Sequence, residues 1–293
     1  MPRDLSDVLH FFLPELESPP EPRDTSTRRF PHAGPAATPS APSTTESPRE
    51  ALLDRPTTAA AARRPLSILG VPLGERDLVH AALTWNLAVE TARQGGAVAI
   101  VVPESDRDSA LWSAHAPGPH TPEILFCPAR HAADLYAAAG ERAETLRRST
   151  RRGGIVFVRL PPEWLEASPA AATDAMRWIL LFTSPRREDG SATFERVRRL
   201  VEQRPGLEIG VTVRGVARIE EARDAFDELA RRCHERLGLA LASYGLLTDD
   251  LDVYRAIAAG RAIGSTHPRS PAARALVDVA RLLYEDARSR LLG

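Results

Sequence analysis

The chain has 293 residues, a hydrophobic fraction of 43% and a formal net charge of -1. This length suits one large domain or two small ones, and the near-zero charge excludes a general electrostatic attraction to nucleic acid or to anionic membrane. The two cysteines are too few for a disulfide framework and fit a reducing compartment. All 38 basic residues are arginine, which excludes chemistry that needs a lysine ammonium group.

The first residues carry no targeting signal that we recognise. Met1 to Glu17 contains several acidic residues and lacks a basic start, so we expect no signal peptide. The longest apolar run, Ala97 to Pro103, has the length of a strand and is far shorter than the roughly 20 residues of a transmembrane helix. We therefore expect a cytoplasmic protein without a transmembrane segment.

Residues 1–14 have the pattern of a short amphipathic helix. Its apolar positions follow helical spacing, and a proline ends it. These positions are Leu5, Val8, Leu9 and Phe12. We interpret the segment as a docking peptide for the groove of a protein partner, and the alternative is that it packs on its own domain. The acidic polar face makes membrane binding the less favoured interpretation.

Residues 15–65 are rich in Pro, Ala, Ser and Thr and poor in large apolar side chains. About half of the chain's 25 prolines lie before Leu66. Such a composition buries too little apolar surface to offset the conformational entropy lost on folding. We predict a disordered linker here, followed by one domain over residues 66–293.

From Leu66 onward, apolar runs of strand length alternate with helical patterns. The predicted strands are Ser67–Val71, Ala97–Val102, Ile124–Phe126, Gly154–Arg159, Trp178–Thr183, Glu208–Val213 and Leu239–Tyr244. The predicted helices are Arg76–Gln94, Ala129–Ala139, Thr193–Gln203, Arg218–Leu237, Asp250–Ala258 and Ser270–Leu291. This alternation predicts the α/β class, with a mainly parallel twisted sheet and helices on both faces. Ligand sites are then expected at the carboxyl ends of the strands.

Several segments after Leu66 have the order and spacing of a known family. The first strand, a loop, Asn86-Leu87-Ala88, a Gly-Gly turn and the second strand resemble the opening of the MinD/ParA family of P-loop ATPases. Ile155 to Pro162 resembles the Walker-B strand, and Ile179 to Pro185 resembles the strand that ends in Thr-x-Pro. The last third is similar to MinD and to its flagellar relative FlhG. The resemblance implies a P-loop NTPase-like fold.

The residues that bind ATP in that family are replaced in this chain. With the loop aligned on Asn86, Gly74 falls on the first glycine of the phosphate loop, and the lysines, the other glycines and the hydroxyl that ligates magnesium are all lost. The replacing residues are Glu75, Arg76, Asp77, Val79, His80 and Ala81. Arg159 stands in place of the Walker-B acid, and Arg214 in place of an asparagine that reads adenine.

These replacements predict a vestigial nucleotide cleft without catalytic residues, cofactor or metal. Glu75 and Asp77 would direct carboxylates at a polyphosphate, and no Mg²⁺ ligand remains. We expect the cleft to close around a salt bridge such as Glu75–Arg159. The alternative is a divergent ATPase that binds ATP and Mg²⁺ through His80 or Arg159 and the amides of a helix N-terminus near Asp77.

Two further clusters of residues have alternative interpretations. A dense basic patch consists of Arg147, Arg148, Arg151 and Arg152. It would contact phosphate or DNA in a non-specific DNA-associated module, but a solvated helix end is the commoner explanation, so nucleic acid is not an expected partner. Four residues with ligand-like chemistry, His115, His120, Cys127 and His131, match no zinc template, and we expect no metal.

The sequence thus predicts a non-catalytic MinD/ParA-like adaptor or regulatory protein. Its expected partner is a protein bound through the N-terminal helix, and a homodimer or a heterodimer with an active family member fits the family. The resemblance to MinD and FlhG implies a setting in the spatial or numerical control of flagella, division or secretion.

Overall fold

The computed structural model describes residues 65–75, 77–109, 112, 118, 120–150, 152–167 and 176–292. The predicted N-terminal helix and nearly all of the predicted linker lie outside these residues, as do Arg76, His115 and Arg151.

All strands in the described residues belong to one parallel sheet of seven, in the order β3-β2-β4-β1-β5-β6-β7. The strands are β1 Ser67–Pro72, β2 Ala97–Pro103, β3 Glu123–Cys127, β4 Gly154–Leu160, β5 Trp178–Thr183, β6 Glu208–Val216 and β7 Ala242–Thr248. Every residue of β4 and β5 is buried, which explains their continuous apolar sequences, because helices cover both faces of the sheet.

The described part of the chain contains eight α-helices and one short 3₁₀-helix. The helices are α1 Leu78–Arg93, α2 Ala132–Ser149, α3 Pro162–Ala167, α4 Arg187–Gln203, α5 Ile219–Leu237, α6 Leu251–Ala258, α7 Ile263–Thr266 and α8 Pro271–Leu292, and the 3₁₀-helix is Glu104–Asp106. Crossovers between parallel strands are right-handed, which places α1 on one face and α2, α4 and α5 on the other. α8 packs beside α1 and over β7. None of the helices described is both long and apolar enough to cross a membrane.

The predicted fold class is confirmed; the errors lie at element boundaries and in two short helices, α3 and α7, that the sequence did not predict. Helix α2 continues ten residues beyond the predicted end at Ala139. The prediction stopped early because the second half of the helix is mostly exposed or half-buried and has no apolar period. Helix α4 begins at Arg187, six residues before the predicted start at Thr193. The prediction missed its first turn because that turn is polar and includes Glu188 and Asp189. Strand β7 begins at Ala242, three residues after the predicted start, and continues past Gly245 to Thr248.

Asn86, in the family-like opening, and Gly154, the first residue of β4, have structural roles in the packing. Asn86 is buried at 4% exposure; its amide donates to the Ala82 carbonyl at 2.8 Å, and its Oδ1 accepts the backbone N–H of Ile263 at 2.9 Å. It therefore fixes α7 against α1. Gly154 is required where β4 starts, because a Cβ there would lie 1.9 Å from the backbone oxygen of Ala97.

Candidate functional site

The candidate site lies at the carboxyl ends of β1, β4, β5 and β6, beside the start of α1. The connection from β1 to α1 is short, and one hydrogen bond to β4 and one within the connection hold it. Leu73 donates its backbone N–H to the Leu160 carbonyl at 3.0 Å, and Asp77 donates its backbone N–H to the Gly74 carbonyl at 3.1 Å. The second bond closes a tight turn, so the Asp77 amide is used inside the loop.

Asp77 caps the N-terminus of α1 with its own carboxylate. Its Oδ1 accepts the backbone N–H of His80 at 3.2 Å, and its backbone carbonyl accepts the N–H of Ala81 at 3.1 Å. The first amides of a helix are the groups that bind phosphate when no side chain satisfies them. Here a carboxylate of the chain itself takes that position.

His80 connects this cap to the other side of the cleft. Its Nδ1 lies 2.5 Å from Oδ2 of Asp77, its Nε2 contacts Nε of Arg214, and its ring stacks on Phe182 with centroids 4.9 Å apart and an interplanar angle of 6°. The guanidinium has no acceptor, so Nε2 must accept from Arg214 and Nδ1–H must donate to Asp77. The contact with Arg214 therefore fits the tautomer of His80 that carries its proton on Nδ1.

The carboxylate of Asp77 is stabilised in its ionised form. Partial burial raises the pKa of Asp77, but the hydrogen bonds from the ring and the backbone N–H of His80 and the charge of Arg214 outweigh it and lower that pKa below its ordinary value. Arg214 follows an irregular step in the pairing of β6 with β7, and Gly215 after it has a φ of 68°. We call Asp77, His80 and Arg214 the polar bridge of the cleft.

A buried ion pair fills the neighbouring part of the cleft. Nε of Arg159, near the end of β4, lies 3.1 Å from Oδ2 of Asp106, the last residue of the 3₁₀-helix after β2, and the side chains are 2% and 10% exposed. Burial lowers the pKa of Arg159, an effect that the charges of Asp106, Glu163 and Glu75 oppose. The predicted contact partner, Glu75, is thus the wrong carboxylate: it contributes charge nearby, but Asp106 makes the ion pair.

Nothing at the mapped metal position replaces the lost ligands. Ala81 is 1% exposed and belongs to the apolar core. Among the residues that the structure describes, no group of three or more His, Cys, Asp or Glu side chains is placed to hold a metal ion. His120, Cys127 and His131, the described members of the His/Cys cluster, form no such group.

The arginine patch lies at the opposite end of the sheet, between α2 and the start of β4. Arg147 donates to the Thr150 carbonyl at 3.0 Å, Arg148 pairs with Glu144 at 3.3 Å, and the guanidinium of Arg152 lies next to Gly95. Two of its three described members therefore have local partners. The patch and the cleft are separate surfaces.

Comparisons with solved structures identify the fold. The MinD cell division protein of Aquifex aeolicus matches with a TM-score of 0.52 at 15% sequence identity, over 75% of this chain and 97% of that chain. The chain has a distant MinD/ParA-like fold. A chain of the MinC:MinD cell division protein complex from the same organism also matches, with a TM-score of 0.52 at 14% identity, over 75% and 96% of the two chains. No family model matches the sequence, and no curated protein matches it significantly.

The MinD/ParA-like fold brings together most of the residues mapped from the sequence. His80 contacts both Asp77 and Arg214, and Arg159 lies in the same cleft. Sequence reasoning missed Asp106 and Phe182. Asp106 was recognisable only as an acid after a strand, because the sequence does not reveal that β2 and β4 are neighbours in the sheet.

Proposed function

We propose that this chain is a non-catalytic MinD/ParA-like adaptor or regulatory protein that uses its fold as a binding platform. One observation carries the proposal: the polar bridge spans the place where the resemblance puts the phosphates. The carboxylate of Asp77 already accepts the backbone N–H of His80 in the first turn of α1, and a phosphate group would have to displace this carboxylate or remain beside it. Either arrangement opposes binding, because like charges repel at short range.

The buried ion pair supports the same proposal. In the family an acid at the position of Arg159 supports the metal shell, whereas here a guanidinium neutralises Asp106 and brings no ligand for Mg²⁺. A divergent ATPase would need to break both the polar bridge and the ion pair before binding Mg-ATP. The structure offers no observation that favours this alternative, and the partnered arginine patch does not favour the DNA alternative.

The proposed binding of a protein partner is based on the sequence and on one structural neighbour. MinD of Aquifex aeolicus is known in a complex with MinC. By analogy we propose that this chain binds a protein partner, through the helix of residues 1–14, or forms a homodimer or a heterodimer with an active family member. We place it in the cytoplasm, in the spatial or numerical control of flagella, division or secretion.

An affinity pull-down from the source cells tests the adaptor function. The bait is the full chain, and the matched control is the full chain with Leu9→Ala and Phe12→Ala, which removes apolar surface and retains the linker. The expected result is a protein recovered by the first bait, reduced at least fivefold with the second, and equal in amount with or without Mg-ATP. Recovery that requires Mg-ATP would contradict a non-catalytic platform.

A further inference from the structure

An apolar slot opens beside the polar bridge, between α1, α6 and α8. The slot is shallow; Leu83, Leu247, Val253 and Leu276 are its buried apolar members, and the half-buried Val79 lines it as well. The charged groups at the rim are mixed, with Arg214 on one side and Asp249 and Asp250 on another. Apolar contact rather than charge would therefore drive the binding of a ligand here.

The surface beside this slot exposes large apolar side chains at positions that are usually polar. Leu78 is the first residue of α1 and is 51% exposed, and Leu251 is the first residue of α6 and is 69% exposed. Tyr254, which lines the slot, is 47% exposed. Each leucine directly follows an aspartate that caps its helix, Asp77 in α1 and Asp250 in α6. Two adjoining helix starts thus present apolar surface that their own domain does not cover.

We propose that this slot and its apolar surroundings bind residues 1–14 of the same chain when no partner is present. The segment's four apolar residues, which the sequence predicts at i, i+3, i+4 and i+7, match the exposed apolar surface around the slot in kind. The inference rests on the proposed function in one respect, that residues 1–14 are a docking helix. It adds a resting place for that helix, so that a partner has to compete with the chain's own domain.

The length of chain before the domain permits this contact. Residue 65 precedes β1 at the amino edge of the sheet, whereas the slot lies at the carboxyl edge, beyond the end of β7. A strand of this length crosses about 20 Å, and a chain segment as long as residues 15–64 can reach well over about 100 Å when extended. The linker therefore reaches the slot within one chain, and no second copy is needed.

A labelled peptide tests the inference on full-length protein. The probe is a fluorescent peptide of residues 1–14, and its binding is measured by anisotropy to the wild type, to a tail variant with Leu9→Asp and Phe12→Asp, and to that tail variant with Leu251→Arg added. The wild type should bind weakly because its own tail occupies the slot. The tail variant should bind at least tenfold more tightly, and Leu251→Arg should abolish the gain.

The matched control is Val277→Arg in the tail variant, since Val277 is also an exposed apolar residue, at 39%, but does not line the slot. This control should leave peptide binding within a factor of two. Equal affinity for the wild type and the tail variant would overturn the inference, and so would loss of binding with Val277→Arg as well as with Leu251→Arg. A wild type that light scattering shows to be dimeric, with a monomeric tail variant, would also overturn it. None of these outcomes bears on whether Mg-ATP binds, so the proposed lack of catalysis is judged separately.

Discussion

The guanidinium of Arg214 contacts the ring of His80 although the two residues are 134 positions apart in the chain. Arg214 comes from the end of β6 and His80 from the first turn of α1, and Phe182 at the end of β5 supports the ring between them. The contact therefore joins three elements at the carboxyl edge of the sheet. It also holds His80 in the tautomer that donates to Asp77.

The polar bridge predicts a pH-dependent contribution of Asp77 to stability. Because its pKa is lowered below the ordinary value of 3.8, the ionised carboxylate stabilises the fold above that pH, and this contribution is lost as the pH falls through the folded-state pKa. Asp77→Asn retains a cap acceptor and removes the charge, so it should lower the free energy of unfolding by about 1 kcal/mol at neutral pH.

Urea unfolding at several pH values measures this effect. The difference between wild type and Asp77→Asn should be constant between neutral and mildly acidic pH and should shrink below pH 3.8. Leu78→Asn, at the neighbouring exposed position, serves as a control whose effect should not depend on pH. An Asp77→Asn difference that grows as the pH falls would disprove the assigned sign.

The ion pair between Arg159 and Asp106 predicts strong coupling in a double-mutant cycle. Arg159→Met leaves a buried carboxylate without its partner, and Asp106→Leu leaves a buried guanidinium alone, so each single change should cost about 3–5 kcal/mol. The double variant should cost clearly less than the sum, because neither charge then remains. Unfolding by denaturant gives the four free energies, and additive single effects would show that the two charges do not depend on each other.

The continuous burial of the sheet explains why the fold could be predicted from sequence and the site only in part. β4 and β5 are apolar throughout because both faces are covered, and this pattern is visible without coordinates. The pairing of Arg159 with Asp106 was not visible, because it depends on the order of the strands, and Phe182 was indistinguishable from an ordinary core residue. The end of α2 was misplaced since an exposed helical turn has no apolar period.

The domain boundary predicted near residue 65 can be tested by limited trypsin digestion of the full chain. Its composition predicts that the arginines between Arg23 and Arg64 are cut first, because a protease needs an extended, accessible backbone. Mass spectrometry should then find a stable fragment that begins near residue 65 and retains α8. Early cleavage at Arg93, inside the packed domain, would contradict the boundary.

We expect that the cleft of this MinD/ParA-like domain does not bind Mg-ATP. Isothermal calorimetry with Mg-ATP and with Mg-ADP, alongside the MinD protein of Aquifex aeolicus as a reference, measures this directly. We expect no binding heat for this chain, because the carboxylate of Asp77 accepts the backbone N–H of His80 at the start of α1 and Ala81 at the mapped metal position carries no ligand atom. A dissociation constant below about 10 μM, equivalent to roughly 7 kcal/mol of binding free energy, would contradict it.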